Sequence, residues 1–360
     1  MKITGVRTLP AAVPLESPIR AGGWDIKSAG MLAVFVDTDA GLTGEGVAFT
    51  LNGRGMKILS EGVDMLAPLA LGIDPTASGK FLSDALRDTL FFGHKGPLIM
   101  SLSAIESALW DIRAQAASLP MHRLLGTVRE KVPAYWSGGL WLTMSIDALQ
   151  REAQDVLKRG YRAMKLRVAR GDNEITAQRV KAVREAIGPN VKLMVDANQT
   201  LDVAGALALA HRLAEFDLTW FEEPVPYYDH AGEAAIAAAS PIPIASGESE
   251  YLSRGIQEMV DLKCAHTLMP DLQRMGGIAE FIRGAHIAQH RGIAISSHLF
   301  HEMSLGLLAS LENATFLEVM PWFEPAYRER LRIEDGFAVV SELPGHGFRL
   351  DPKALERFKI

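Results

Sequence analysis

Cysteine is nearly absent: Cys264 is the single one among 360 residues. No internal disulfide can form, so a reducing cytoplasm is the expected setting. Cys264 itself reads as a small buried apolar residue, because no His or Asp at a recognisable spacing supports it as a nucleophile. Long apolar runs are missing too, and none approaches the roughly 18 residues of a membrane span. The opening stretch MKITGVRTLPAAVPLESPIR lacks the apolar core of a secretory signal, and Pro10 and Pro14 would interrupt one. With a net charge of −6 and no basic stripe, neither nucleic acid nor an acidic membrane surface is an expected partner. No glycine-rich phosphate loop follows a first strand, which sets aside a doubly wound nucleotide-binding sheet. No H-x-H pair occurs, which sets aside the histidine-rich metal hydrolases built on β/α barrels.

What remains is an ordinary globular composition, 48% hydrophobic and 22% charged, long enough for a large α/β unit with a smaller companion. Residues 1–125 read as mixed α+β. MLAVFVDTDAGLTGEGVAF (31–49) is two apolar runs joined around Asp37 to Gly44, a hairpin signal. SLSAIESALWDIRAQAA (101–117) has helical periodicity, with Ile105, Leu109 and Ile112 on one stripe and Glu106 and Asp111 on its polar side. From 126 to 320 the texture changes. KVPAYWSGG, YRAMKLRVA, VKLMVDAN, LTWFEEP, PIASGE, HTLMPD, IAISSHLF and ATFLEVM are β-rich runs separated by helical stretches such as TAQRVKAVREAIG. Eight strand–helix units imply a closed parallel barrel. Residues 321–360 read as hairpin and turn material able to pack back on the first domain.

Acids recur at the ends of these runs. Asp196 closes KLMVDAN, Glu222 ends TWFEE and Glu248 ends PIASGE, with separations 222 − 196 = 26 and 248 − 222 = 26. One β/α unit apart, they would sit on neighbouring strands at the same barrel mouth. A single acid after a strand is commonly a helix N-cap. Three in register would repel one another unless a hard cation joined them, and oxygen-only ligation favours Mg²⁺, with Mn²⁺ as the other candidate. Glu223 reads as a supporting acid, and Asn198 points the same way as Asp196. Two units on, Asp271 and His298 are again one unit apart, 298 − 271 = 27, a spacing that lets a carboxylate orient an imidazole. Glu318 follows on the eighth strand. With a raised pKa it would donate a hydrogen bond to a substrate oxygen, and otherwise it would pair with a nearby Lys or Arg. Lys165 and Arg167, two apart on the second strand, leave on one face and would meet this negative cluster and any anionic substrate.

SAIESALWDI, VDAN, FEEP, the GE of PIASGE, MPDLQRMGG and SSHLFHE, in this order, resemble the enolase superfamily and within it the mandelate racemase subgroup. The resemblance covers nearly the whole chain. It implies an α/β fold, a modified TIM barrel of (β/α)7β form, with an N-terminal α+β capping domain completed by the C-terminal segment. It also implies Mg²⁺ on Asp196, Glu222 and Glu248, an Asp271–His298 dyad, and Glu318 as the carboxyl that helps stabilise the intermediate. Such enzymes remove the proton beside a carboxylate to give an enediolate, and related proteins commonly assemble as homo-oligomers. Racemases of the subgroup usually carry Lys-x-Lys on the second strand, whereas this chain has Lys165-x-Arg167. Arginine stays protonated, so it is a carboxylate clamp rather than a base. One clear base, His298, suits elimination of water from an aldonic or aldaric (sugar) acid to give a 2-keto-3-deoxy acid. The alternative is a racemase or epimerase of a 2-hydroxy acid, with Lys165 as second base if Arg167 lowers its pKa. A muconate-lactonising cycloisomerase would use lysines on opposite faces, but Arg274 stands at that place. A barrel that has lost its chemistry would not keep every one of these acids.

Substrate choice is expected from loops of the capping domain. PIRAGGWDIK (18–27) offers glycines for mobility, Trp24 to exclude water, and Arg20 and Lys27 for hydroxyl or carboxylate contacts. FTLNGRG (49–55), with Asn52, is a second candidate, and FFGHKG (91–96), with His94 and Lys95, a third. A second cation near the mouth would favour a diacid.

Overall fold

A computed structural model describes residues 1–21 and 23–360; Gly22, one of the glycines read as loosening the 18–27 loop, lies outside them. The chain opens with an antiparallel sheet of β1 (Ile3–Ala21), β2 (Trp24–Thr38) and β3 (Thr43–Leu51), in that order. The long first strand was not legible as one, because Pro10, Pro14 and Pro18 interrupt it. It is tolerated because β1 is an edge strand, where a missing N–H need not leave a neighbour unpaired, and the register slips between Pro14 and Ile19. The hairpin expected within 31–49 is β2–β3, closed by Thr38 N donating to Leu42 O at 3.0 Å.

Helices α1 (Met56–Ala70), α2 (Ser78–Asp88) and α3 (Pro97–Ala116) cover this sheet. Gly44 and Gly46 on β3 admit α3 at close range: a Cβ on Gly46 would lie 1.9 Å from the Ala104 carbonyl oxygen. The stripe of Ile105, Leu109 and Ile112 is buried as expected. The face read as polar is buried as well, and Glu106 and Asp111 are both fully enclosed. Glu106 Oε2 accepts from Ile278 N at 2.7 Å and its Oε1 from Ala279 N at 3.3 Å, so this capping-domain acid caps the barrel helix Ile278–Gln289. Asp111 accepts from the backbone amides of Glu45 and His346, each at 3.0 Å, and pairs with Arg349 at 2.7 Å. A helix wedged between a sheet and a barrel has no solvent side, so its acids became ties between units.

The eight runs read from the sequence are the eight barrel strands: β4 (Lys131–Trp136), β5 (Ala163–Arg167), β6 (Lys192–Asp196), β7 (Leu218–Glu222), β8 (Ile244–Ser246), β9 (Thr267–Leu268), β10 (Ala294–Ile295) and β11 (Leu317–Val319). Neighbours from β4 to β10 pair in parallel. The ring closes where β11 pairs with β4, Glu318 opposite Tyr135, and where Thr315 N donates to Ile295 O at 2.7 Å. Inside, Tyr135, Ala163, Met194, Trp220, Ala245 and Met269 form an apolar plug, with Tyr135 and Trp220 edge to face at 5.4 Å. Side chains alternate along each strand, so the next inward positions are Lys165, Asp196 and Glu222. An apolar floor thus supports a charged layer at the carboxyl ends.

The remaining chain touches both units. β12 (Ile333–Glu334) and β13 (Phe337–Val339) form a hairpin that adds to β4, Ala338 opposite Val132. The helix Pro352–Phe358 follows, and Lys359 bridges to Ala11 on β1. Among the described residues, no helix is long and apolar enough to cross a membrane.

Candidate active site

The charged layer is built by strand register. Arg167 on β5 lies opposite Asp196 on β6, which lies opposite Glu222 on β7. Lys165 and Arg167 are 1% and 4% exposed, so both cations do point inward together. The Lys165 Nζ contacts Glu222 Oε1, and lies 2.9 Å from Glu318 Oε1 and 3.3 Å from Asp196 Oδ2. Arg167 places Nη1 3.2 Å from Asp196 Oδ2, donates through Nη2 to Ser137 Oγ at 3.0 Å, and carries its guanidinium 5.0 Å from the Trp141 ring centroid. Its Nε is enclosed without a partner. Glu222 accepts from Trp220 Nε1 at 2.9 Å. Asp196 is oriented by Asn198, through N at 2.8 Å and Nδ2 at 3.2 Å.

On the other side, His298 Nδ1 lies 2.7 Å from Asp271 Oδ2, and Nε2 turns toward Glu248 Oε1 at 3.3 Å. Arg274 donates to the Glu248 carbonyl at 2.8 Å. Several residues just past the strand ends hold positive φ without being glycine: Leu140, Asn198, Gln199, Glu223, Leu299 and Phe300. Each costs backbone strain, and the barrel holds them where the polar side chains converge.

The electrostatics follow the crowding. Burial would depress the His298 imidazolium, but the carboxylates of Glu248 and Asp271 outweigh it and lift its pKa to about 9. Burial pushes Glu222 up to about 8, with Asp196, Glu318 and Glu248 adding to the rise against the pull of Lys165. Burial, then Glu248 and Asp196, raise Glu223. Lys165 is held above its ordinary value: burial and Arg167 lower it, and Glu222 and Glu318 overcome both. The expectation that Arg167 would lower Lys165 into the range of a base is therefore corrected, because three carboxylates surround the amine. For Glu318 the geometry favours the second of the two readings, a partner for a nearby cation. Burial favours its neutral form, yet Lys165, His298 and the Leu299 amide, donating at 2.7 Å, hold it below the ordinary range. It is an ion-pair partner, not a raised-pKa donor.

Among the described residues, no three His, Cys, Asp or Glu side chains stand in ready metal-ligating geometry, since Glu222 is turned onto Lys165. The donor set nonetheless fits a hard divalent cation. Asp196, Glu222 and Glu248 supply only oxygen, the carboxylates outnumber the cations, and the buried Asn198 Oδ1 lacks a partner.

Above this layer lies a cavity of about 450 Å³. Of the residues singled out from sequence, Trp24, Lys165, Arg167, Asp196, Asn198, Glu223, Glu248, His298 and Glu318 line it. Glu222 lies against Lys165, and Asp271 backs His298. Arg20, Lys27 and Asn52 do not reach it. Arg20 is paired across its own hairpin with Asp25, 3.8 Å away. Lys27 is the outward neighbour of the inward Ile26, as strand alternation requires. Asn52 accepts from Lys27 N at 2.7 Å and Ser28 N at 3.2 Å and donates to Asp25 O at 2.9 Å, so it shapes the loop. His94 is bound to Leu86 O at 2.8 Å, and neither it nor Lys95 lines the cavity. Sequence reasoning missed Ile26, Phe49, Trp141 and Trp322, which also line it. The one available signal was an aromatic residue a few positions past a barrel strand.

An acid-lined barrel mouth beneath an antiparallel cap defines a capped-barrel, enolase-type site. Residues 3–126 match the family "Mandelate racemase / muconate lactonizing enzyme, N-terminal domain", and residues 148–354 match "Enolase C-terminal domain-like". L-talarate/galactarate dehydratase of Salmonella typhimurium is 32% identical over 87% of this chain and 79% of its own. D-galactarolactone cycloisomerase of Agrobacterium fabrum is 29% identical over 100% and 99%. L-talarate dehydratase from Polaromonas sp. JS666, solved with Mg and L-glucarate, superimposes with a TM-score of 0.93 at 31% identity, covering 100% of this chain and 97% of that one. A racemase from Streptomyces coelicolor with bound magnesium gives 0.96 at 30%, covering 99% and 100%. The chain belongs to the mandelate racemase/muconate lactonizing enzyme family of the enolase superfamily.

Proposed function

We propose that this chain is a magnesium-dependent hydro-lyase that removes water from a sugar acid, aldonic or aldaric, to give a 2-keto-3-deoxy acid. Asp196, Glu222 and Glu248 would hold the ion, with Glu223 supporting them. Bound magnesium supplies the positive charge that stabilises an enediolate as the proton beside the carboxylate departs. The observation that carries the reading is one oriented imidazole facing a permanent cation: His298 bonded to Asp271 at 2.7 Å, and Arg167 where a second base would stand.

Asp271 fixes the His298 ring so that Nε2 faces the cavity. With the Glu248 carboxylate engaged as a metal ligand, the largest force holding the proton on His298 would be removed, and its neutral Nε2 would take the C2 proton. The C2–H electrons move into the enediolate and then form the C2–C3 double bond as the C3–O bond breaks. The imidazolium returns that proton to the departing hydroxide, which leaves as water, and the enol becomes the 2-keto acid. Lys165 and Arg167 remain cations. Arg167 lines the cavity as a fixed cation for the substrate carboxylate, and Glu318 holds Lys165 in place. Support also comes from relatives named as dehydratases of talarate/galactarate, arabinonate and rhamnonate.

The test is proton NMR of the Mg²⁺-loaded protein in D₂O with a panel of aldonic and aldaric acids. New C3 methylene signals that are lost in His298→Asn are expected. Exchange at C2 with epimer formation and no elimination would reassign the chain as an epimerase using Lys165 as second base.

A further inference from the structure

We propose that Glu152, which does not line the catalytic cavity, is a positioning residue for Arg167: it fixes the loop after β4, and that loop seats the guanidinium. The proposal rests on the cation role given to Arg167 above.

Arg167 meets the loop 137–141 at three points. Its N donates to Leu140 O at 3.1 Å, its Nη2 donates to Ser137 Oγ at 3.0 Å, and its guanidinium lies 5.0 Å from the Trp141 ring centroid. The loop has little of its own to hold that shape. Gly138 and Gly139 bring no side chains, and Leu140 sits at φ 54°, a left-handed conformation that strains a residue with a Cβ.

Glu152 supplies the missing restraint. It lies on the helix Ile146–Lys158, and its Oε2 accepts from Leu140 N at 3.1 Å. Gly139 makes room for it, since a Cβ there would fall 1.8 Å from Glu152 Oε1. One strained residue is thus tied through its amide to the helix and through its carbonyl to β5. Burial works against the charge on Glu152 and raises its pKa, and the Leu140 amide is the strongest pull the other way.

Both ends of the loop are secured separately. Ser137 N donates to Val319 O at 3.0 Å, and Arg179 donates to Trp141 O at 3.0 Å and to Met144 O at 2.6 Å. Removing Glu152 therefore puts the slack on residues 138–140, which carry the carbonyl that ends β5 and lead into the Trp141 ring. A shift of about 1 Å in a group that orients substrate costs on the order of a hundredfold in rate.

The crystal structure of Mg²⁺-loaded Glu152→Ala is the direct test. The Arg167 guanidinium is expected to move by about 1 Å or more, and an unmoved guanidinium would overturn the proposal. Turnover supplies a second arm. In Glu152→Ala, kcat/KM for elimination should fall by about tenfold or more, and most of that loss should vanish when Arg167→Ala is already present. Losses that add would mark Glu152 as a stabiliser of the fold alone. Should Glu152→Ala fail to fold, two smaller changes decide the matter: Glu152→Asp withdraws the acceptor by one methylene, and Glu152→Gln keeps it within reach of the Leu140 amide. The Asp variant should lose activity and the Gln variant should stay near wild type, and the reverse order would overturn the argument. The two arms also separate this proposal from the dehydratase reading. A displaced guanidinium with no elimination from any sugar acid would sink the dehydratase and keep the positioning role, and elimination with additive losses would do the opposite.

Discussion

Arg167→Lys keeps a positive charge on β5 while removing the planar fork. In the wild-type geometry the guanidinium spans Ser137 Oγ at 3.0 Å and Asp196 Oδ2 at 3.2 Å, lies by the Trp141 ring, and lines the cavity. A lysine amine is a point donor and cannot serve Ser137, Asp196 and a substrate oxygen in one plane. Loss of one hydrogen bond to a charged group is worth ~1.5–3 kcal/mol, so kcat/KM for elimination should fall by roughly 10- to 150-fold. The carboxylates that hold Lys165 charged surround position 167 as well, so the new amine stays an ammonium and adds no second base. Proton NMR in D₂O reads both points in one tube: slower growth of the C3 methylene signals, and no epimer. Elimination within twofold of wild type would refute the argument that the Arg167 fork positions the substrate, and an epimer would refute the argument that the carboxylates keep this position charged.

Two further outcomes are expected. Adding Mg²⁺ at about a hundred times its Kd should stabilise the protein by ~2.7 kcal/mol, and Asp196→Asn or Glu222→Gln should abolish the rise in melting temperature, a result independent of turnover. Glu106, inside the tie between cap and barrel, has its pKa raised by burial from 4.5 to about 7, against the hydrogen bonds from Ile278, Trp110 and Ala279. The native state therefore holds that proton more tightly, so this group's contribution is fully present below pH 4.5 and is lost as pH rises through 7. The loss is on the order of 3 kcal/mol. Denaturant unfolding between pH 5 and 8 should show that component of the slope in wild type and not in Glu106→Gln.

The barrel was legible because strand–helix repetition and acid spacing are local signals. The runs ending in Asp196, Glu222 and Glu248 each announce themselves within ten residues. The inward pairing of Lys165 and Arg167 followed from period-two alternation alone. Other features depend on partners far away in sequence. Nothing near Pro10 or Pro14 says that β1 is an edge strand, and that position is what lets the prolines stay. The burial of Glu106 and Asp111 depends on residues 278 and 349. Arg20, Lys27 and Asn52 were assigned to substrate by loop position, but the hairpin register turned the first two outward and Asn52 bonded to its own loop. The charge on Lys165 was not legible for a related reason: Arg167 could be seen beside it, while the carboxylates around it arrive from three other strands.

The Phe49 amide donates to Gln273 Oε1 at 2.8 Å and ties the capping hairpin to the loop after β9. The residues proposed to carry the chemistry are spread along 165–318, on the barrel strands or within a few residues of their carboxyl ends. Trp24, Ile26, Phe49 and Leu51, which line the cavity, sit on the hairpin between 24 and 51, which carries none of those residues. A change at Trp24 or Leu51 alters what the cavity admits and leaves the acids beneath it in place.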